Sequence, residues 1–239
     1  MIVSRPGQRI LAIPGDGVRV VQPRGGAAPA FPLVIRHETG LSEYDSVVDG
    51  GGDLSQSADA ALAGTSGGLL VLVNDTASIY GEKAISLSAD KLRLRIYFDP
   101  NSLTMANNDS FAFLQVKGAV STVLSLHFLY QSGYKLQVYF VQDGNNWSKT
   151  FSPSITDAPH YVEIYMVRES ADGWNDGTGQ MWIDGASAGT SSGIGNYNCF
   201  NAINRIAVGA VGGIDAGTSG TFYLDELVVR DDDVAIGPV

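Results

Sequence analysis

The chain has 239 residues, 44% of them hydrophobic, and carries a formal net charge of −10 with a sequence isoelectric point near 4.6. So acidic a chain excludes a nucleic-acid partner, which needs clustered cations for its phosphates, and no apolar run approaches the roughly 18 residues of a membrane span. The length suits a single all-β sandwich with a large core.

Residues 1–33 are expected to form a basic arm and linker. The segments Arg9–Ala12 and Val18–Val21 flank Pro14-Gly15-Asp16-Gly17, which reads as a hairpin, and Pro23–Ala30 follows as a linker without regular structure. Five arginines against one aspartate over residues 1–36 make this end basic and the remainder strongly acidic. Such an arm is expected to pack on its own body or on a neighbouring subunit, as in a homo-oligomer or a virion decoration protein. Met1–Gly7 lacks the apolar stretch of a secretory signal, so the chain is expected to be cytoplasmic, a mature fragment, or delivered to an extracellular or virion-surface location by another route.

From residue 34 to 232 the pattern is one of short strands and turns, followed by a tail over 233–239. Leu69–Val73 is a continuous apolar strand, and Leu92–Phe98 alternates cleanly. Val123–Tyr130 and Lys135–Val141 bracket a turn at 131–134, and Tyr161–Val167 and Gln180–Ile183 bracket a loop over 171–179. Ile206–Ala210 and Thr221–Val229 supply the last strands. Only Ala58–Ala63 hints at a helix, and it is short. Period-two alternation without a βαβ rhythm gives two packed antiparallel sheets. Cys199 is the lone cysteine, so the fold rests on its core and not on an intrachain disulfide.

His160–Ile164, Asn175-Asp176-Gly177 and Met181–Gly185, then Val208–Ala210 and the closing Phe222-Tyr223-Leu224-Asp225-Glu226-Leu227, occur in an order that resembles LamG-like and concanavalin-A-like jelly-roll domains. Upstream, His37–Tyr44 is similar to the opening segment of such domains. The resemblance spans about 34–232 and implies a two-sheet jelly-roll sandwich. It does not imply one function, because the superfamily hosts lectins, glycosidases, lyases and structural modules.

Glucanases of that superfamily carry Glu-x-Asp-x-Glu on one strand, which aims alternate carboxylates into the cleft. Here Glu163 is followed by Tyr165 and Val167, so the acid/base pair is missing and Glu163 is expected to be a structural or surface carboxylate. Alginate-lyase-like members use Gln, His, Tyr and Arg on one concave sheet. Ser125-Leu126-His127 is distantly similar to their Gln-x-His strand, but Lys135–Phe140 does not match their tyrosine-rich one. A satisfied, hydrogen-bonded strand histidine is the expected reading of His127, with His127 beside Tyr139 as a lyase pair the alternative. No Gly-x-Ser-x-Gly elbow occurs, and His37, His127 and His160 lack metal-ligand spacing. The expectation is a non-catalytic, lectin-like module that binds surface glycan, with a purely structural protein and a polysaccharide lyase or hydrolase as alternatives.

A carboxylate in each apolar row of the closing strand demands pairing or a metal. The resemblance implies a structural Ca²⁺ held by Glu38 and Asp225, and oxygen donors suit that ion. Asp172–Gly177 fails as an EF-hand, since Trp174 occupies the third ligand position and no glutamate follows at the twelfth. Loop aromatics suit the apolar face of a sugar ring. Trp174, Tyr134 at a hairpin tip and Trp147 after Asp143–Asn146 are therefore the expected glycan contacts, and Trp182, mid-strand, is expected to be packed.

Overall fold

A computed structural model of the protein describes residues 9–12, 18–21, 31–119, 121–201 and 203–239. Seventeen strands are found among them. They are β1 (Arg9–Ala12), β2 (Val18–Val21), β3 (Leu33–Ile35), β4 (Ser46–Val48), β5 (Leu54–Ser57), β6 (Gly68–Val73), β7 (Ile79–Leu87), β8 (Lys91–Asp99) and β9 (Ser110–Lys117). The remainder are β10 (Thr122–Tyr130), β11 (Tyr134–Gln142), β12 (Asn146–Phe151), β13 (His160–Val167), β14 (Gly177–Ile183), β15 (Ala186–Ile194), β16 (Ile203–Gly212) and β17 (Gly220–Arg230). The helical hint at Ala58–Ala63 becomes a single 3-10 turn, Ala58–Ala60. No helix among the described residues is long and apolar enough to cross a membrane.

Two antiparallel sheets pack face to face. Sheet A runs β1-β2-β4-β7-β16-β9-β10-β11-β12, and sheet B runs β15-β14-β13-β8-β17-β6-β5, with β3 also paired to β17. The hairpin expected at the N-terminal end is present as β1 against β2, and β2 pairs with β4, so it extends sheet A. The Pro14–Gly17 turn and the Pro23–Ala30 linker lie outside the described residues.

Alternation sets which side chains face inward. Leu92, Leu94, Ile96 and Phe98 of β8 and Leu124, Leu126 and Phe128 of β10 all point between the sheets and are fully buried. Phe98, Phe111, Phe113, Phe128 and Phe222 form an aromatic centre, with Phe98 4.8 Å from Phe113 and 4.9 Å from Phe128 between ring centroids. Burying each such ring contributes about 1.5–3 kcal/mol, which makes this cluster the main anchor between the sheets.

Two irregularities shape the outer face of sheet A. In the β9–β10 ladder Leu114 opposes Leu126 but Ala112 opposes His127, so β9 carries one extra residue there. This bulge sends both Phe113 and Leu114 into the core and returns the small Ala112 to the outer face beside His127. On β16 the ladder to β9 breaks between Val208 and Gly212. Gly209 sits there at φ +128, and a Cβ on it would lie 2.4 Å from the Ile79 carbonyl oxygen, so only glycine lets β7 and β16 approach this closely.

Candidate functional site

The outer face of sheet A gathers polar and aromatic groups around a low apolar floor. Ala112, Ala207 and Val211 form that floor, with Tyr80 packed against it. On one side stand three rings: His127 and Tyr139 with centroids 4.9 Å apart, Tyr139 and Trp147 at 5.5 Å, and His127 and Trp147 at 6.3 Å. Register explains the grouping. Gln137 lies directly opposite His127, and Ser125 opposite Tyr139, so alternation on β10 and β11 places all four on one face.

His127 is the chemically informative member. Its Nε2 is enclosed and has no hydrogen-bond partner among the described residues. Burial disfavours the imidazolium and pushes its pKa down to about 4. At neutral pH the ring is therefore a free base with one nitrogen uncommitted. The expected reading of a hydrogen-bonded strand histidine finds no support at Nε2. The glutamine missing two positions before His127 is also replaced in space: Gln115 on β9 opposes Ser125 and donates from Nε2 to its Oγ at 3.4 Å, while Gln137 supplies an amide from the other side.

The other expected contacts are dispersed. Trp147 joins the His127 corner, with its Nε1 donating to Asn145 Oδ1 at 3.2 Å. Tyr134 is not a free hairpin tip: its hydroxyl donates to the Leu103 carbonyl at 2.7 Å, and its ring packs on Phe128 and Tyr130. Trp174 is 69% exposed on the loop between β13 and β14, and its neighbours Gly173 and Asn175 line one recess with Asn146, the residue before Trp147. Trp182 packs under Arg93, whose guanidinium lies 5.0 Å from its ring centroid.

Asp225 and Glu38 cap one turn from two sides. Asp225 is fully buried, and its Oδ2 accepts from Leu62 N, Ala63 N and Thr65 Oγ1, while Oδ1 accepts from its neighbour's amide, Glu226 N. Burial would raise the Asp225 pKa, but these donors and His37 outweigh it and hold the carboxyl below its usual range. Glu38 is exposed, and its Oε1 accepts from Ser66 N at 3.4 Å. Protein N–H and O–H groups thus occupy much of Asp225, while Glu38 accepts this one side-chain bond among the described residues. Glu163 is the structural carboxylate of the two expected readings and not the surface one. It is 4% exposed on the outer face of sheet B, where it pairs with Arg93 and accepts from Ile236 N and Gly237 N of the C-terminal tail.

Three further carboxylates, Asp143, Glu169 and Asp172, come within 4.8 Å of one another beside a recess of about 260 Å³. Backbone donors clasp the first two: Asn198 N and Cys199 N on Asp143, and Asn175 N and Tyr197 N on Glu169. Sequence spacing gave no sign of this cluster, because Asp143 comes from the β11–β12 turn and Glu169 and Asp172 from the β13–β14 loop.

No protein-family model matches the chain, and no curated protein matches it. Solved structures do. An endo-β-1,4-glucuronan lyase from the fungus Trichoderma reesei superposes with a TM-score of 0.61 at 14% identity, covering 83% of this chain and 94% of the lyase. Alginate lyase Aly36B gives 0.61 at 17% identity, covering 89% and 100%. The cellulose induced protein Cip1 gives 0.51 at 15% identity, covering 77% and 88%. Expectation of a protein without catalysis is corrected here. It rested on absent glucanase carboxylates, which a lyase does not use, and polysaccharide lyases are among the structural neighbours. At these identities the likeness shows the fold alone: this chain is a two-sheet jelly-roll sandwich.

Proposed function

We propose that the protein is a polysaccharide lyase that cleaves a uronate-containing glycan across the outer face of sheet A. The observation that carries the proposal is His127: an enclosed imidazole, neutral above about pH 4, with an uncommitted Nε2 and a tyrosine ring 4.9 Å away. Support also comes from the fold shared with glucuronan and alginate lyases. One Aly36B structure, at a TM-score of 0.50 and 17% identity, is of a variant lacking a lysine and a tyrosine in complex with alginate tetrasaccharide.

The chemistry is a β-elimination. His127 takes the proton from the sugar carbon α to the carboxylate. The electron pair left behind forms the new double bond, and the bond to the glycosidic oxygen breaks with its electrons on that oxygen. Tyr139 gives the oxygen its hydroxyl proton, and the imidazolium later returns a proton to the phenolate through solvent. Gln137 and Gln115 offer amide N–H groups to the uronate carboxylate as charge builds on it. Trp147 offers a ring face to the neighbouring sugar. Wild-type protein incubated with polyuronates should release fragments bearing an unsaturated uronate, read by mass spectrometry as products without added water. Hydrolysed fragments, or none across the panel, would sink the proposal.

A second reading, glycan recognition without chemistry, draws on Trp174 alone, an indole 69% exposed on a polar loop. Binding that survives His127→Gln but is lost in Trp174→Ala, with no unsaturated product from wild type, favours it.

A further inference from the structure

At one end of the outer face, where β9 turns into β10, two cations stand side by side. Lys117 is directly opposite Arg205 on β16 and directly opposite Thr122 on β10. Like charges in that position repel. Glu82 offsets part of this, 3.8 Å from Arg205, and the Lys117 ammonium lies 5.8 Å from the Tyr80 ring centroid. Between the cations and the turn is a recess of about 220 Å³, lined by Lys117, Gly118, Ala119, Ser121, Thr122 and Arg205. The Ser121 hydroxyl oxygen is enclosed there and has no hydrogen-bond partner among the described residues. An enclosed hydroxyl left unpaired is costly, which marks a place where an incoming oxygen is rewarded. A guanidinium fork, an ammonium and a hydroxyl around one recess match an oxyanion on a ligand.

We infer that this recess is a second, remote subsite that binds an anionic substituent, carboxylate or sulfate, of a polyanionic glycan lying along sheet A. The inference rests on reading that face as a glycan groove. Lys117 is five residues along β9 from Ala112, the residue opposite His127, a separation of about 15 Å at the rise of a strand. The Lys117 ammonium leans back toward the floor, 5.8 Å from the Tyr80 ring, so it is the Ser121 end of the recess that a single sugar at His127 does not reach. A chain that engages both must be several sugars long and charged at intervals, so the recess makes the groove selective for chain length and for charge.

The test is equilibrium binding of wild type, Lys117→Gln and Ser121→Ala to a galacturonate dimer and octamer, dextran sulfate and uncharged dextran at one fixed salt concentration. Wild type should bind the octamer far more tightly than the dimer and should not bind dextran. Lys117→Gln should lose about tenfold in octamer affinity, the value of one charge-assisted contact, and nothing for the dimer. Ser121→Ala, which removes only the enclosed hydroxyl, should weaken the octamer in the same direction with unchanged thermal unfolding. Whether the loss falls on the octamer, on dextran sulfate or on both identifies the anion as carboxylate, sulfate or either. Equal losses for dimer and octamer would place Lys117 in the His127 corner and overturn the inference, as would no loss with any probe. Length-dependent loss without any unsaturated product retains this subsite and removes only the lyase chemistry.

Discussion

His127 on β10 and Tyr139 on β11 are diagonal neighbours on one face of sheet A, their rings 4.9 Å apart and inclined at 65°. This pairing places a neutral nitrogen base beside a phenol above a floor of small side chains, and the bulge in β9 that returns Ala112 to the surface leaves the space for it.

Replacing His127 with glutamine should lower turnover by roughly 10²–10⁴-fold, the usual contribution of a general base. The same substitution alters the pH dependence of stability. The folded histidine titrates near 4 and the unfolded one near 6.5. Between those values the unfolded chain binds a proton that the folded chain does not, so wild-type stability falls as pH drops from 6.5 to 4 and levels off below. Tm measured across that interval should change less in His127→Gln than in wild type.

Trp147→Ala should act on binding more than on chemistry. The indole touches Tyr139 and His127 but has no proton to exchange with substrate at the reacting carbon. Its loss should raise KM about fivefold, on the order of 1 kcal/mol for one aromatic contact, and leave kcat within a small factor. A collapse of kcat at unchanged KM would give the ring a different role.

On the opposite sheet, Glu163 ties down the C-terminal tail. It accepts from Ile236 N and Gly237 N, while Arg93 and Arg95 donate to the Asp233 and Gly237 carbonyls. Burial would raise the Glu163 pKa, but the two backbone N–H groups and Arg93 prevail and hold it below its ordinary 4.5. Its stabilisation is therefore complete above pH 4.5 and is lost as pH falls through the lower, folded value. Glu163→Gln should cost about 3 kcal/mol in denaturant unfolding, because it leaves Arg93 buried without its counter-charge. Amide exchange at residues 236 and 237 should speed up in that variant and, for wild type, in acid.

The sandwich was legible because its strands announce themselves by alternation. Leu92–Phe98 falls one residue short of each end of β8, and Val123–Tyr130 misses only the first residue of β10. Strands without that signal were silent. β15, Ala-Ser-Ala-Gly-Thr-Ser-Ser-Gly-Ile, is nearly all small and polar, and β7 interrupts its apolar row with Gly81-Glu82-Lys83. The site was half visible. His127 and Tyr139 drew notice as a pair and Trp147 separately, yet the convergence of all three depends on register between three strands, and on a bulge that no local pattern encodes. Gln137 and Gln115 gave no signal, because an outward glutamine on a strand looks like any solvated residue. The glucanase comparison misled by testing for carboxylates in a fold that also performs elimination without them.

The closing strand supplies a further test. Asp225 is saturated by Leu62 N, Ala63 N, Thr65 Oγ1 and Glu226 N, with the buried His37 Nδ1 at 3.8 Å. Asp225→Ala should cost 3 kcal/mol or more, roughly, through several buried donors left unpaired. A calcium chelator should leave the wild-type Tm unchanged, and a drop of several degrees on chelation would show that an ion shares this carboxylate.

Ultraviolet absorbance of unsaturated uronate, followed during incubation with a panel of polyuronates, tests the central claim most directly when wild type, His127→Gln and Tyr139→Phe are run together. Absorbance should rise with wild type on at least one uronate polymer and stay flat with both variants, each folded by thermal unfolding. A wild-type trace that stays flat on every polymer, or variants that match the wild-type rate, would contradict it.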